Sequence, residues 1–291
     1  MNSLNTSRCA VGSAVARMAV RLIVPIFILA VQAIHGGEPA PSAKPTNSTP
    51  PPGPTPAAMA KSAEAGWETL FDGRTLDGWR ATEFGGHGEV HVERNFVAPT
   101  NQAGPKPPPG SLVPGPAIVL DLGSDLTGIH WTNDVPNMNY EIELEAMKVD
   151  GSDFFCGLTF PVKDSFCSFI VGGWGGGVVG LSSLDGNDAS QNETTKFMGF
   201  QTGRWYLIRV RVTERRIQTW IDREKVVDVN TAEKRISLRP GEIEMSKPLG
   251  VASWQTSAAL RNIKLRRFVN APETDISPAV KKARPAADAA K

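Results

Sequence analysis

The chain has 291 residues, with 31 Lys and Arg against 30 Asp and Glu. That balance supplies no basic surface for nucleic acid or for an anionic membrane. Its 28 glycines and 23 prolines disfavour a helical bundle and favour turn-rich β structure joined to unstructured segments.

The N-terminus carries Arg8, Arg17 and Arg21, with no acid before Glu38. Leu22–Ile34 follows as a thirteen-residue apolar segment, LIVPIFILAVQAI. A basic segment before a short apolar one describes a secretory signal peptide over residues 1–34, with a small-residue cleavage site at Val31-Gln32-Ala33. Thirteen residues are too few for a comfortable membrane span, so no membrane insertion beyond this segment is expected. The expected location is therefore secreted or periplasmic, with a tether by an uncleaved signal anchor as the alternative. Residues 35–65 read as a linker, with eight prolines between Pro39 and Pro56 and no apolar period. Residues 270–291 are Ala, Lys and Pro rich and read as a disordered tail.

Between them, residues 66–269 carry the signals of one β domain. Trp67–Phe71 leads through the turn Asp72-Gly73 to Leu76–Trp79. Glu89–Val97 comes next, and then a Pro/Gly-rich loop over Asn101–Pro116. Ala117–Leu122 and Gly128–Trp131 are short strands. Tyr140–Ala146 alternates apolar and acidic without a break. Phe154–Phe160 is expected to be closed by Pro161, with Phe166–Val171 and Val178–Leu184 as its successors. Arg204–Val212 and Arg216–Asp222 form a hairpin, with Tyr206, Ile208, Val210 and Val212 on one face. Lys225–Val229, Leu249–Trp254 and Leu260–Phe268 complete the domain. Regularly spaced strands with polar turns imply an all-β sandwich.

Several motifs bear on chemistry. GGWGGG places five glycines around Trp174, a clearing in which an indole could offer a flat face to a sugar, or simply plug a barrel corner. The loop lacks the strand and helix context of a nucleotide-binding turn. No GxSxG is present, and His35, His87, His91 and His130 form no HExxH or other local ligand pair. Cys156 and Cys167 belong to no CxxC, and a turn near Lys163 would not set them directly opposite one another; a disulfide between them stays open. Glu141, Glu143 and Glu145 share one strand face at roughly 7 Å spacing. Such spacing suits a glycosidase pair, whose carboxylates stand about 5 to 10 Å apart. It equally suits a solvated polar face. Asp153, Asp185, Asn187, Asp188, Asn192 and Glu193 offer oxygen donors for Ca²⁺, another divalent metal or sugar hydroxyls.

The whole domain resembles the 3-keto-disaccharide hydrolase family. The opening WETLFDGRTLDGW (Trp67 to Trp79) is similar to that family's first aromatic strand, and NYEIELEA (Asn139 to Ala146) to its acidic alternating strand. The segment GRWYLIRVRVTERRIQTWIDREKVVDV resembles its late hairpin, and GVASWQTSAALRNIKLRRF (Gly250 to Phe268) its closing strand. The middle departs, with Ser152-Asp153-Phe-Phe-Cys-Gly157 and GGWGGG in place of the usual pattern. The resemblance implies a concanavalin A-like lectin/glucanase jelly roll of two curved antiparallel sheets and a hydrolase acting on 3-keto sugars. A carbohydrate-binding module without catalysis is the alternative. Under the enzyme reading Glu143 is the expected base and Glu145 or Asp153 its partner. Trp174, Asp185, Asn187, Trp254 and Gln255 are the expected sugar-binding residues. Glu143 should then share a pocket with Trp174, Trp254 or the Asp185 loop.

Overall fold

The computed structural model describes residues 66–99 and 112–268. The expected leader, linker and tail, together with most of the Asn101–Pro116 loop, lie outside the described residues. Two antiparallel sheets pack face to face. The first holds β1 (Glu68–Thr69), β3 (Val90–Phe96), β4 (Gly115–Leu120), β6 (Tyr140–Gly151), β11 (Trp205–Val212), β12 (Arg216–Ile221), β13 (Glu224–Asn230) and β15 (Thr256–Arg267). The second holds β2 (Trp79–Ala81), β5 (Leu126–Trp131), β7 (Cys156–Val162), β8 (Ser165–Gly172), β9 (Val178–Ser182), β10 (Lys196–Phe197) and β14 (Gly250–Trp254). The expected jelly-roll sandwich of two antiparallel sheets is the observed fold. Among the described residues no helix is long and apolar enough to cross a membrane.

The order within each sheet is non-sequential: β13-β12-β11-β6-β15-β4-β3 in the first and β10-β9-β8-β7-β14-β5-β2 in the second. The last two strands thus enter the middle of the two sheets, β15 between β6 and β4, β14 between β7 and β5. The alternation of β6 turns Tyr140, Ile142, Leu144 and Ala146 into the core. Tyr206, Ile208, Val210 and Val212 join them from β11, as the pattern predicted. The second sheet answers with Leu158, Phe160, Phe169 and Leu181, all at most 1 % exposed.

Pro161 does not end β7. It pairs with Phe166 inside the strand, and the chain turns at Lys163, whose φ is 53°. Pairing of β7 with β14 stops at Thr159, so the missing N–H of Pro161 costs no ladder bond on that side. Its carbonyl instead accepts the buried Tyr140 hydroxyl at 2.5 Å. Cys156 lies opposite Val171 and Cys167 opposite Phe160, and both thiols are free and buried. Burial raises both pKa values, that of Cys167 to about 12. Neither thiol should react with an aromatic disulfide reagent at neutral pH until denaturant is added. Rapid labelling of the folded protein at either position would contradict this burial.

Candidate functional site

The outer face of the second sheet is stripped of bulk. Its outward positions include Gly128, Gly157, Gly180 and Gly250, with Ala252, Thr159, Ser168 and Ser182 beside them. At Gly250 a methyl group would fall 2.6 Å from the Ser246 carbonyl oxygen, so the short 3-10 turn Glu242–Ser246 can lie directly on the strand. On this face a groove of about 510 Å³ is lined by three groups of residues. Asp125, Leu126 and Trp254 form one, Asp153, Phe154 and Trp174 a second, and Arg239 to Ile243 the third, with Ser168, Ile170 and Ser182 contributed by the sheet. Phe84, Leu126 and Ala252 pack with Phe154, Ile243 and Trp254 as an apolar cluster.

The GGWGGG segment is the turn between β8 and β9, and its backbone is left-handed at four positions. Gly172 has φ 83°, Trp174 49°, Gly175 86° and Gly176 99°. Successive N–H groups in such a conformation converge on an anion, and the chain supplies that anion itself. Asp153 Oδ1 accepts the Trp174 N–H at 3.1 Å and Oδ2 the Gly175 N–H at 2.7 Å. The Phe154 N–H adds a third bond to Oδ1 at 2.8 Å. The indole of Trp174 is left 40 % exposed, and the Arg239 guanidinium sits 5.8 Å from its ring centre. Arg239 also lies 3.5 Å from Asp188.

Three carboxylates therefore line the groove, in different states of engagement. Both oxygens of Asp153 are committed to backbone donors. Glu242 shares one N–H, that of Gly85, between its oxygens at 3.3 and 3.1 Å. Asp125 has a single long contact, from the Gln255 side-chain amide at 3.4 Å. An aromatic platform, a guanidinium and two lightly held carboxylates over a floor of small residues can take a sugar ring and move a proton on it.

A family profile, the 3-keto-alpha-glucoside-1,2-lyase-like domain, matches residues 66–266. The chain belongs to this family. That places the domain among carbohydrate-active, glycosyl hydrolase-like proteins. No curated protein sequence matches it. Among solved structures, the apo Crh5 transglycosylase is 10 % identical, with 70 % of this chain and 84 % of that one covered and a TM-score of 0.40. The CBM66 carbohydrate-binding module from Bacillus subtilis is 12 % identical over 65 % of this chain and 95 % of that one, TM-score 0.38. Domain 4 of AbnA, a GH43 extracellular arabinanase from Geobacillus stearothermophilus in complex with arabinotriose, is 12 % identical over 69 % and 91 %, TM-score 0.38.

The groove gathers Trp174, Trp254 and Asp153 from the residues singled out in the sequence, and Gln255 reaches its rim through Asp125. Glu143 and Glu145 are elsewhere, and this corrects the expected pocket. They point outward from the first sheet, whereas the groove lies on the outer face of the second. Glu143 Oε1 pairs with Lys264 Nζ at 2.8 Å. Glu145 takes Arg261 Nε at 2.6 Å and the Asn262 amide at 2.9 Å. The third member, Glu141, is 2 % exposed and lies between Arg211 and Arg266. These glutamates neutralise the bases of neighbouring strands, and none of them lines the groove. Asp185 and Asn187 also lie outside the groove lining. Asp185 accepts the Arg235 N–H and pairs with Lys234, which, with the second ion pair of Lys234 to Glu193, holds a surface loop closed. Its pKa is lowered, first by the Arg235 N–H and then by Lys234. Asn192 donates its amide to the carbonyls of Leu181, Asn187 and Asp188, which ties this loop to β9. Sequence reading missed Asp125, Arg239 and Glu242. Arg239-Pro240-Gly241 was the available signal, a turn sequence ahead of Glu242 and between strands.

Proposed function

We propose that the groove binds a 3-keto-disaccharide or a related 3-keto glycoside and that the domain cleaves its glycosidic bond by elimination. The observation that carries this is the half-exposed Trp174 platform in one groove with Arg239 and the carboxylates of Asp125 and Glu242. A ketone at C3 acidifies the proton on C2. Asp125 or Glu242 removes that proton, and the enolate charge on the C3 oxygen is met by the Arg239 guanidinium. As the C1–C2 double bond forms, the C1–O bond breaks and the leaving oxygen takes a proton from water or the second carboxyl group. Water then adds across the double bond, with its proton to C2 and its hydroxyl to C1, which completes a hydrolysis. Trp174 and Trp254 hold the sugar rings, and Asp153 acts by fixing Trp174.

The test is turnover of 3-keto and plain disaccharides by the parent, Asp125→Asn and Glu242→Gln. Loss of the base should lower kcat on the 3-keto substrate by about 10²–10⁴ while binding persists. Full activity of both variants sinks the assignment. The rigid platform is also what a binding module needs, and sugar binding without product from the parent would move the reading to a lectin-like role. Export through a leader over residues 1–34 is part of the same proposal. The mature protein should lack the leader by intact mass, whereas full-length chain in washed membranes would speak for an anchor.

A further inference from the structure

At one end of the sandwich two segments cross between the sheets, residues 82–89 from β2 to β3 and residues 121–125 from β4 to β5. They touch backbone to backbone. The Asp121 N–H donates to the Glu89 carbonyl at 2.9 Å and the Ser124 N–H to the Gly86 carbonyl at 2.9 Å. At Gly88 a methyl group would fall 2.3 Å from the Asp121 carbonyl oxygen, so this approach requires glycine.

The side chains at this junction are arranged by strand geometry. Val90 and Val92 lean on the core, so Glu89 and His91, two residues apart, share the opposite face. Asp121 lies across from Glu89 and so faces the same way. One ligand atom from each of Glu89, His91 and Asp121 lies within 4.8 Å of the others. His91 Nδ1 is buried and has no hydrogen-bond partner, and the Asp121 carboxylate stands 3.9 Å from it. Among the described residues neither carboxylate has a Lys or Arg partner. The His91 side chain is 39 % exposed but its Nδ1 faces inward, and an unbonded imidazole nitrogen beside two carboxylates without a cation can accept one divalent ion.

We propose that Glu89, His91 and Asp121 bind a divalent transition-metal ion that staples the two crossover segments together beside the groove. One imidazole and two carboxylates suit Zn²⁺ or Mn²⁺, whereas an all-oxygen donor set would favour Ca²⁺. The same two segments touch two of the groove's carboxylates: Asp125 ends one, and the Gly85 N–H in the other holds Glu242. The ion would therefore set the spacing of those carboxylates without touching a substrate. The inference stands whether or not a 3-keto sugar is the ligand.

The test is calorimetric titration of the chelator-stripped, untagged full chain with ZnCl₂, MnCl₂ and CaCl₂, together with thermal melts. One equivalent of Zn²⁺ or Mn²⁺ should bind and raise Tm, and Co²⁺ should give the visible absorption of an imidazole-ligated ion. His91→Ala and Asp121→Asn should weaken binding by more than about tenfold, since even groups behind the ligands cost 10–100-fold. Asp185→Asn, on a different loop, should bind as the parent does. If His91→Ala fails to fold by circular dichroism, His91→Gln takes its place. Absence of stoichiometric binding, Ca²⁺ as the preferred ion, or undiminished binding by the folded His91 variant overturns the proposal.

Discussion

Glu141→Gln is expected to cost the domain about 3–5 kcal/mol of stability, the range seen when one partner of a buried ion pair is removed. Glu141 is 2 % exposed and Arg211 8 %. The Arg211 Nε is buried and makes no hydrogen bond, lying 3.6 Å from Glu141 Oε1. The amide would leave that guanidinium and Arg266 without their counter-charge. Against a typical total of about 5–15 kcal/mol, such a loss is about a fifth of the stability or more. Glu143→Gln and Glu145→Gln are the controls. Their partners, Lys264 and Arg261, are more exposed, and each change should cost about 1 kcal/mol or less. Urea midpoints of the three variants decide the matter. Equal, small losses in all three would show that burial of Glu141 carries no special penalty.

Asp153→Ala should be the most damaging single change for ligand binding that leaves the fold intact. Its carboxylate ties Trp174, Gly175 and Phe154 through backbone N–H groups. Charge-assisted bonds of this kind contribute about 1.5–3 kcal/mol each. Trp174 is a non-glycine residue at φ 49°, a conformation that has to be held from outside. Without Asp153 the turn should relax and the indole should leave the groove. Sugar affinity is then expected to fall at least as far as in Trp174→Ala, roughly tenfold for about 1.4 kcal/mol of lost platform contact. Hydrogen exchange should separate the two variants. Residues 172–177 should lose protection in Asp153→Ala and keep it in Trp174→Ala. Unchanged exchange in the Asp153 variant would mean the turn holds itself.

The strands were legible because period-two alternation is a local signal: β11 read almost residue for residue, and β6 over Tyr140–Ala146 but not to its end at Gly151. Pairing was not legible, because β14 and β15 insert between strands made a hundred residues earlier. The glutamates of β6 show what that omission does. Alternation established that they point outward but not which sheet they leave. The missing signal was complementary and already in the chain. Arg209 and Arg211 on β11, with Arg261, Lys264 and Arg266 on β15, face Glu143, Glu141, Glu145, Glu143 and Glu141 in register. An acidic strand between two basic ones is a neutralised ladder. The groove's Asp125, Arg239 and Glu242 sit in turns without any period, so only the folded chain brings them together. Of Glu89, His91 and Asp121, the first two are neighbours along the chain, but Asp121 joins them only across the pairing of β3 with β4.

The position of β14 and β15 also dictates when this protein can fold. Chain synthesis proceeds from the N-terminus, and neither sheet can be closed until Gly250–Arg267 has been made. Up to that moment β6, β4, β7 and β5 each present an unpaired edge, and the nascent chain has no complete core to collapse onto. Folding of this domain is thereby deferred until β15 has left the ribosome. A chain built this way stays threadable while it is being made, and a premature stop before β14 would release four open edges prone to aggregation.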